Sequence, residues 1–243
     1  MAQTLLDIFL LSLRQTARPR RLMVILLIAA VPVALSAIAR LNPPGGSPDQ
    51  FRDTVLMGPL VLAAVMPIVT LVFCTATFGQ EMEDRTLSFL LLKPIPRWAV
   101  VLPKLAASML TSAAVVLASG GLTVVIAPGG EAITVGAVLL GLLAGIAAYS
   151  AIFVWAGLIT SHALAIGLVY VFVWEASLTS FLQGVRYLSV RQYTLGTIHA
   201  VDDAQFTGRS DLLGPEVAVT AAVIVFLAFT VLSVRRLQTM DVP

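Results

Sequence analysis

The residues best suited to carry chemistry lie in one charged segment between two apolar stretches. Residues 81–85 read Glu-Met-Glu-Asp-Arg, and acidic residues in a first helical turn complement the helix dipole. Three leucines then follow at helical spacing: Leu87, Leu90 and Leu91. Lys93 ends this stripe and Pro94 stops the helix, because proline lacks an amide hydrogen and clashes with the preceding turn. The segment 81–93 is predicted to be a short amphipathic helix that docks on another surface; the alternative is a solvated loop.

Glu175 and Pro67 are the other candidates, and both lie inside apolar stretches. A carboxylate in such a place is costly and faces either protein or a water-filled path. Glu175 therefore either lines a translocation path or gate, or accepts hydrogen bonds between helices, with Arg186 or Arg191 as candidate donors. Pro67 predicts a kink, which either acts as a hinge or is static.

Metal, disulfide and cofactor chemistry have little support in the residue types. The chain has two histidines and one cysteine, Cys74, so neither an intrachain disulfide nor a cysteine-rich metal site is expected. His162 and His199 are predicted to lie on opposite faces of the molecule, where they cannot share one ion. No cofactor is expected on this chain.

The composition indicates which solvent these elements need. Of 243 residues, 58% are hydrophobic and 12% are charged, and the mean hydropathy is +0.96. A soluble fold of this size would have a largely apolar surface, so a soluble enzyme is excluded. The net charge is +2 and the pI about 9.0, but the basic residues cluster at the ends of apolar stretches. Membrane topology explains them better than nucleic-acid binding.

Stretches free of charge predict an all-α membrane protein with six transmembrane helices. The run from Ala132 to Trp174 carries no charge and is too long for one span, so a break is predicted at residues 160–162. Residues 3–17 are predicted to form an interfacial amphipathic helix, and 183–215 an external segment with short helices. The spans are expected at about 22–41, 55–78, 105–127, 133–160, 163–182 and 217–234.

The basic residues also predict the orientation. With six spans both termini lie on one side, and that side collects ten of the fifteen Lys and Arg residues. The positive-inside rule then places both termini in the cytoplasm.

The charged segment and its flanks closely resemble the membrane subunits of type-2 ABC exporters. The resemblance is sharpest to permeases of the copper-enzyme and nitrous-oxide-reductase maturation type and their gliding-motility relatives. It rests on an acidic cluster, an Arg-Thr-Leu step, a leucine pair, a proline with a following arginine, and a lysine that opens the third span. These residues are Met66-Pro67-Ile68, then Gly79 to Leu87, then Leu90 to Arg97, then Lys104.

This resemblance implies that 81–93 is a coupling helix that sits in a groove of a separate ATPase subunit. It implies two permease chains, expected to be identical, with two ATPase subunits that carry ATP and Mg²⁺, in the inner membrane of a prokaryote. The chain has no Gly-x-x-x-x-Gly-Lys-Ser/Thr sequence for a phosphate loop of its own. The residues expected to couple are Glu81, Glu83, Asp84, Arg85, Thr86, Leu87, Leu90, Leu91, Pro94 and Arg97.

The residues support three other functions less well than a permease. An intramembrane serine protease needs Gly-x-Ser-Gly, and Ser119 lacks the first glycine. A lipid-modifying transferase would use the acids at 81–84 to bind a metal, but their amphipathic setting favours docking. An ion-coupled secondary transporter or channel that uses Glu175 is the serious alternative. The sequence shows no inverted repeat of the kind found in many such transporters, and this function would leave the docking segment 81–93 unexplained.

Overall fold

The described part of the chain is helical throughout. A computed structural model describes residues 2–16, 18–42, 51–83, 96–127, 131–178, 187–203 and 212–240, and no strand occurs among them. We number the helices α1 to α8 in chain order. They are α1 Ala2–Thr16, α2 Pro19–Leu41, α3 Arg52–Val65 continued by Met66–Glu83, α4 Trp98–Ile126, α5 Ala132–Ile159, α6 Ala163–Val169 continued by Tyr170–Leu178, α7 Val190–Val201 and α8 Pro215–Gln238.

Five of the described helices are long and apolar enough to cross a membrane. They are Pro19–Leu41, Arg52–Gly79, Trp98–Ile126, Ala132–Ile159 and Pro215–Gln238. The stretch predicted to span at 163–182 contains a shorter apolar helix, Ala163–Glu175. The chain is therefore a multi-pass α-helical membrane protein, as the composition predicted.

Helix α5 is the centre of the bundle. It packs against α3, α4, α7 and α8. Of its most apolar 18-residue stretch, 67% is buried inside the protein. It ends at Ile159 and α6 begins at Ala163, so the chain turns at the polar residues 160–162. Because one charge-free run supplies both helices, only these polar residues mark the turn in the sequence.

Small residues let α7 approach α5 closely. A side-chain carbon added at Gly141 would lie 2.9 Å from the carbonyl oxygen of Thr194 and would also meet Ile198. One added at Gly145 would collide with Thr194 and with the sulfur of Met66. Gly141 and Gly145 therefore serve packing within the chain, the ordinary use of small residues in membrane helices.

Helix α7 lies inside the bundle. It packs against α5 and α8, and its residues are buried from Val190 to Ile198 except for the half-buried Arg191. Ser189 caps its first turn, where the hydroxyl accepts from the amide of Gln192. At its other end Asp202 accepts a hydrogen bond of 2.7 Å from the hydroxyl of Thr134 at the start of α5.

Helix α1 rests on α4 and touches α3. Its buried positions are polar: Ser12 and Thr16 face inward, and the hydroxyl of Thr16 lies 3.5 Å from that of Thr111. Leu6, Leu10 and Leu11 are exposed instead. A helix that shows leucines outward suits the apolar side of a membrane interface.

Gly141→Ala tests the close approach of α5 and α7. The added methyl meets a backbone carbonyl, so we expect it to lower the free energy of unfolding by about 1–3 kcal/mol. Gly136→Ala, on the same helix with nothing within 4 Å of the added carbon, is the matched control. It should be neutral or raise that free energy by up to about 1 kcal/mol. Melting of both variants in detergent measures the difference, and equal melting temperatures would contradict this packing.

Candidate functional site

One candidate site joins the end of α3 to the start of α4. Lys104 is only 3% exposed, and its ammonium group pairs with the carboxylate of Glu81. The same nitrogen donates to the carbonyl oxygen of Thr77 at 3.2 Å and lies 4.6 Å from the ring centre of Phe78. Thr77 and Glu81 are four residues apart on α3, so they share one helix face toward Lys104. We call this group the α3–α4 brace.

The brace lies at the root of the predicted coupling segment. Glu81 and Glu83 belong to the last turn of α3, so in the described residues the segment begins as a continuation of that helix. Arg97 lies just before α4, and its carbonyl accepts from the amides of Val100 and Val101. The rest of the predicted coupling residues lie outside the described residues: Asp84, Arg85, Thr86, Leu87, Leu90, Leu91 and Pro94.

Of the predicted coupling acids, Glu81 is thus engaged inside the chain. Its ion pair with Lys104 fastens the two helices between which residues 84–95 run. The sequence signal for this pair is an acid in the last turn of one helix and a base near the start of the next. Sequence reasoning assigned the two residues separately and did not pair them.

A second candidate site surrounds Glu175 on α6. The carboxylate is 1% exposed. One oxygen accepts from the hydroxyl of Ser189 at 2.6 Å. The other accepts from the amide of Val190 at 3.0 Å and from the hydroxyl of Tyr170 at 3.4 Å. The main chain of Arg191 also hydrogen-bonds to it.

These partners place the Glu175 carboxyl group at the N-terminus of α7. First-turn amides have no partner inside their own helix, and a negative charge there is favourable. The carboxylate therefore ties α6 to α7, which matches the interhelical acceptor of the sequence analysis. Its donors are Ser189, Tyr170 and backbone amides, which sequence reasoning missed. Of the two arginines proposed there, Arg191 contributes main-chain contact and Arg186 lies outside the described residues.

Tyrosines complete the surroundings of Glu175. Tyr149 on α5 is buried near the carboxylate and stacks on Phe153 with ring centres 5.4 Å apart. Tyr193 on α7 donates to the carbonyl oxygen of Tyr187. Burial and the nearby charge of Glu175 raise the pKa of Tyr193, so it stays a neutral hydrogen-bond donor.

The remaining candidates are separated from both sites. Pro67 is buried in α3, where a π-helical stretch ends and an α-helical one begins. The amide of Met66 still donates to the carbonyl five residues back, that of Val61. His162 lies at the α5–α6 turn and His199 at the end of α7. Among the described residues, no three His, Cys, Asp or Glu side chains group as a metal site would require.

The comparison with protein families agrees with this architecture. The fold defines a multi-pass α-helical membrane protein with a braced connection between its second and third long helices. The family described as ABC-2 family transporter protein matches residues 17–187, which is most of the chain. The chain belongs to this family and is the membrane subunit of an ABC transporter. The family implies an ABC ATPase as partner. The comparison with curated proteins found no match.

A double-mutant cycle tests the brace. Lys104→Met keeps the apolar stem against Phe78 but leaves Glu81 without its cation, so we expect a loss on the order of 3 kcal/mol. Glu81→Gln should cost a similar amount, since it leaves the buried ammonium group unpaired. The double variant should lose much less than the sum of the two. Melting of the full chain in detergent measures this, and strictly additive losses would refute a direct interaction.

Two substitutions at Glu175 separate its charge from its hydrogen bonding. Glu175→Gln keeps one oxygen acceptor for the first turn of α7, whereas Glu175→Ala keeps none. We therefore expect the alanine variant to melt lower, by an amount that corresponds to about 1–3 kcal/mol. Ser189→Ala, which removes both the cap and one donor, should resemble the alanine variant. A glutamine variant as unstable as alanine would show that the charge itself holds the two helices.

Proposed function

We propose that this chain is the permease subunit of an ATP-driven exporter, and that residues 81–93 couple it to a separate ATPase subunit. The observation that carries the proposal is the family membership of residues 17–187. The absence of a phosphate-loop sequence supports ATP hydrolysis on the partner, which would hold ATP and Mg²⁺. This chain would supply the path for the substrate and the mechanical response.

The brace gives a physical route for that response. A buried ion pair holds two helices in register, and separating it would leave a charge without a partner. A displacement of residues 84–95 would therefore move the end of α3 and the start of α4 together. Helix α3 packs against α5, the centre of the bundle, so the movement would reach the core. Such a shift between two packings of the helices is what alternating access requires.

The assembly is proposed to contain two identical permease chains and two ATPase subunits. Of the five long helices, α2 and α8 are the least buried: 28% and 22% of their most apolar 18-residue stretches lie inside the protein. Their exposed apolar faces would contact lipid or the second permease chain. Both termini are proposed to lie in the cytoplasm, because ten of the fifteen basic residues fall on the same side as the termini. The inner membrane of a prokaryote is proposed from the resemblance to type-2 ABC exporters.

The geometry around Glu175 weighs against ion-coupled transport. A coupling carboxylate must exchange its ion or proton with the transport path. Glu175 instead accepts from Ser189, Tyr170 and Val190 and is almost fully buried. Hydrogen bonding to the first turn of α7 accounts for the buried carboxyl group, and no transported ion is needed to explain it.

Substitutions in the coupling segment test the proposal. We expect Leu90→Asp to leave membrane insertion intact and to abolish co-purification of the ATPase subunit, because a charge replaces part of the docking stripe. Glu83→Ala should retain the ATPase but reduce its transport-coupled activity severalfold. The measurements are quantitative mass spectrometry of the complex purified from its native membrane, and ATP hydrolysis by that complex.

Leu41→Asp is the matched control. Leu41 is 80% exposed and ends α2. In the proposed topology it lies on the side of the membrane opposite to residues 81–93, so the same leucine-to-aspartate change is made away from the proposed dock. It should leave the ATPase bound. If wild type and Leu90→Asp retain the ATPase equally, residues 81–93 are not the segment that binds it. A wild-type chain that purifies without any ATPase, even after crosslinking, would overturn the proposed function.

A further inference from the structure

A cavity between α2, α3 and the α5–α6 turn has a volume of about 140 Å³. It is lined by Arg21 at the start of α2, by Thr75 and Gly79 of α3, and by Ser161 and Leu164. A single water needs only about 10–15 Å³, so this space accommodates several waters or a phosphate group. None of the described residues that line it is acidic.

Arg21, which lines the cavity, has a buried nitrogen, Nη1, without a hydrogen-bond partner among the described residues. A guanidinium group carries five donors and no acceptor, and it fits the oxygens of phosphate or carboxylate. Burying such a donor without an acceptor is costly, so the cavity is a place where a bound anion would be stabilised.

The charges nearby are of the same sign. Arg18 lies close enough to Arg21 for electrostatic repulsion, and Arg20 is exposed beside it. An anion would offset this repulsion, which no acid among the described lining residues does. Arg21 also belongs to the first turn of α2, where free backbone amides favour a negative charge.

The apolar surface next to the cavity indicates the rest of the ligand. Val24 lies one turn after Arg21 on α2 and is 60% exposed. Leu164, which lines the cavity, is also exposed. A ligand with its anionic group at Arg21 could lay hydrocarbon chains along these residues, in the direction of the spans. Basic pockets between membrane helices are a known setting for phospholipid headgroups.

We propose that Arg21 and this cavity bind the phosphate of an anionic phospholipid, whose acyl chains run along Val24 and Leu164. The lining residues named here all belong to this chain, and the proposal does not depend on the proposed ATPase coupling.

Native mass spectrometry of the full, delipidated chain tests the site with two probes, phosphatidylglycerol and phosphatidylcholine. We expect phosphatidylglycerol to bind one per chain, in clear preference to phosphatidylcholine. Arg21→Gln should weaken that binding at least about tenfold, since it removes a charged hydrogen bond. Arg20→Gln, the exposed neighbour, is the matched control and should change binding less than about twofold.

A second variant keeps the charges and fills the space. Ala76 lines the cavity, and Ala76→Leu should also weaken phosphatidylglycerol binding while Arg21 remains. This variant keeps the test decisive if Arg21→Gln does not fold, as judged by melting and elution in detergent. Undiminished binding by a folded Ala76→Leu would show that the lipid sits elsewhere.

Other outcomes overturn the proposal. Equal weakening by Arg20→Gln and Arg21→Gln would mean diffuse attraction to the basic surface. Equal binding of the two lipids would exclude selection for anionic headgroups. If inorganic phosphate raises the melting temperature of wild type but not of Arg21→Gln, and phosphatidylglycerol does not bind, the anion is a soluble phosphate and the lipid assignment is wrong.

Discussion

Inside a bilayer core no water satisfies a polar group, so each donor and acceptor needs a partner within the protein. Several serine and threonine hydroxyls of the spans follow this rule by donating to backbone carbonyls, for example Thr70 to Met66 and Thr75 to Leu71. Ser119 of α4 reaches across to the carbonyl of Ala29 on α2 at 2.6 Å and so joins two helices. The same constraint is stronger for charged groups, because burying an unpaired charge costs more free energy than burying an unpaired hydroxyl.

The two candidate sites are two solutions to this constraint. Lys104 is buried with Glu81 at one place, where a cation and an anion from neighbouring helices meet. Glu175 is buried at the other, where Ser189 and a backbone amide at the start of α7 donate hydrogen bonds to it. The first connects the helices on either side of the predicted coupling segment. The second fixes α7 against α6 and, through Gly141 and Gly145, against the central α5.

Arg21 differs from both. Its buried Nη1 has no partner among the described residues, beside a cavity that those residues leave without a negative charge. Lys104 and Glu175 have hydrogen-bond acceptors or donors within the chain, and the proposed phospholipid phosphate would supply the acceptor for Arg21.

The sequence by itself determined the solvent and the class of protein. Charge-free runs long enough to cross a bilayer allow few alternatives to membrane helices, and the motif from Met66 to Lys104 indicated the family. Burial and pairing were decided only by the tertiary structure. Lys104 and Glu81 are 23 residues apart in sequence, and Glu175 and Ser189 are 14 apart, across segments whose path no local pattern encodes. Membrane-helix sequences are apolar on all sides, so periodicity cannot tell a lipid-facing residue from a buried one. Which face of each helix meets protein follows from packing, and packing placed these charges.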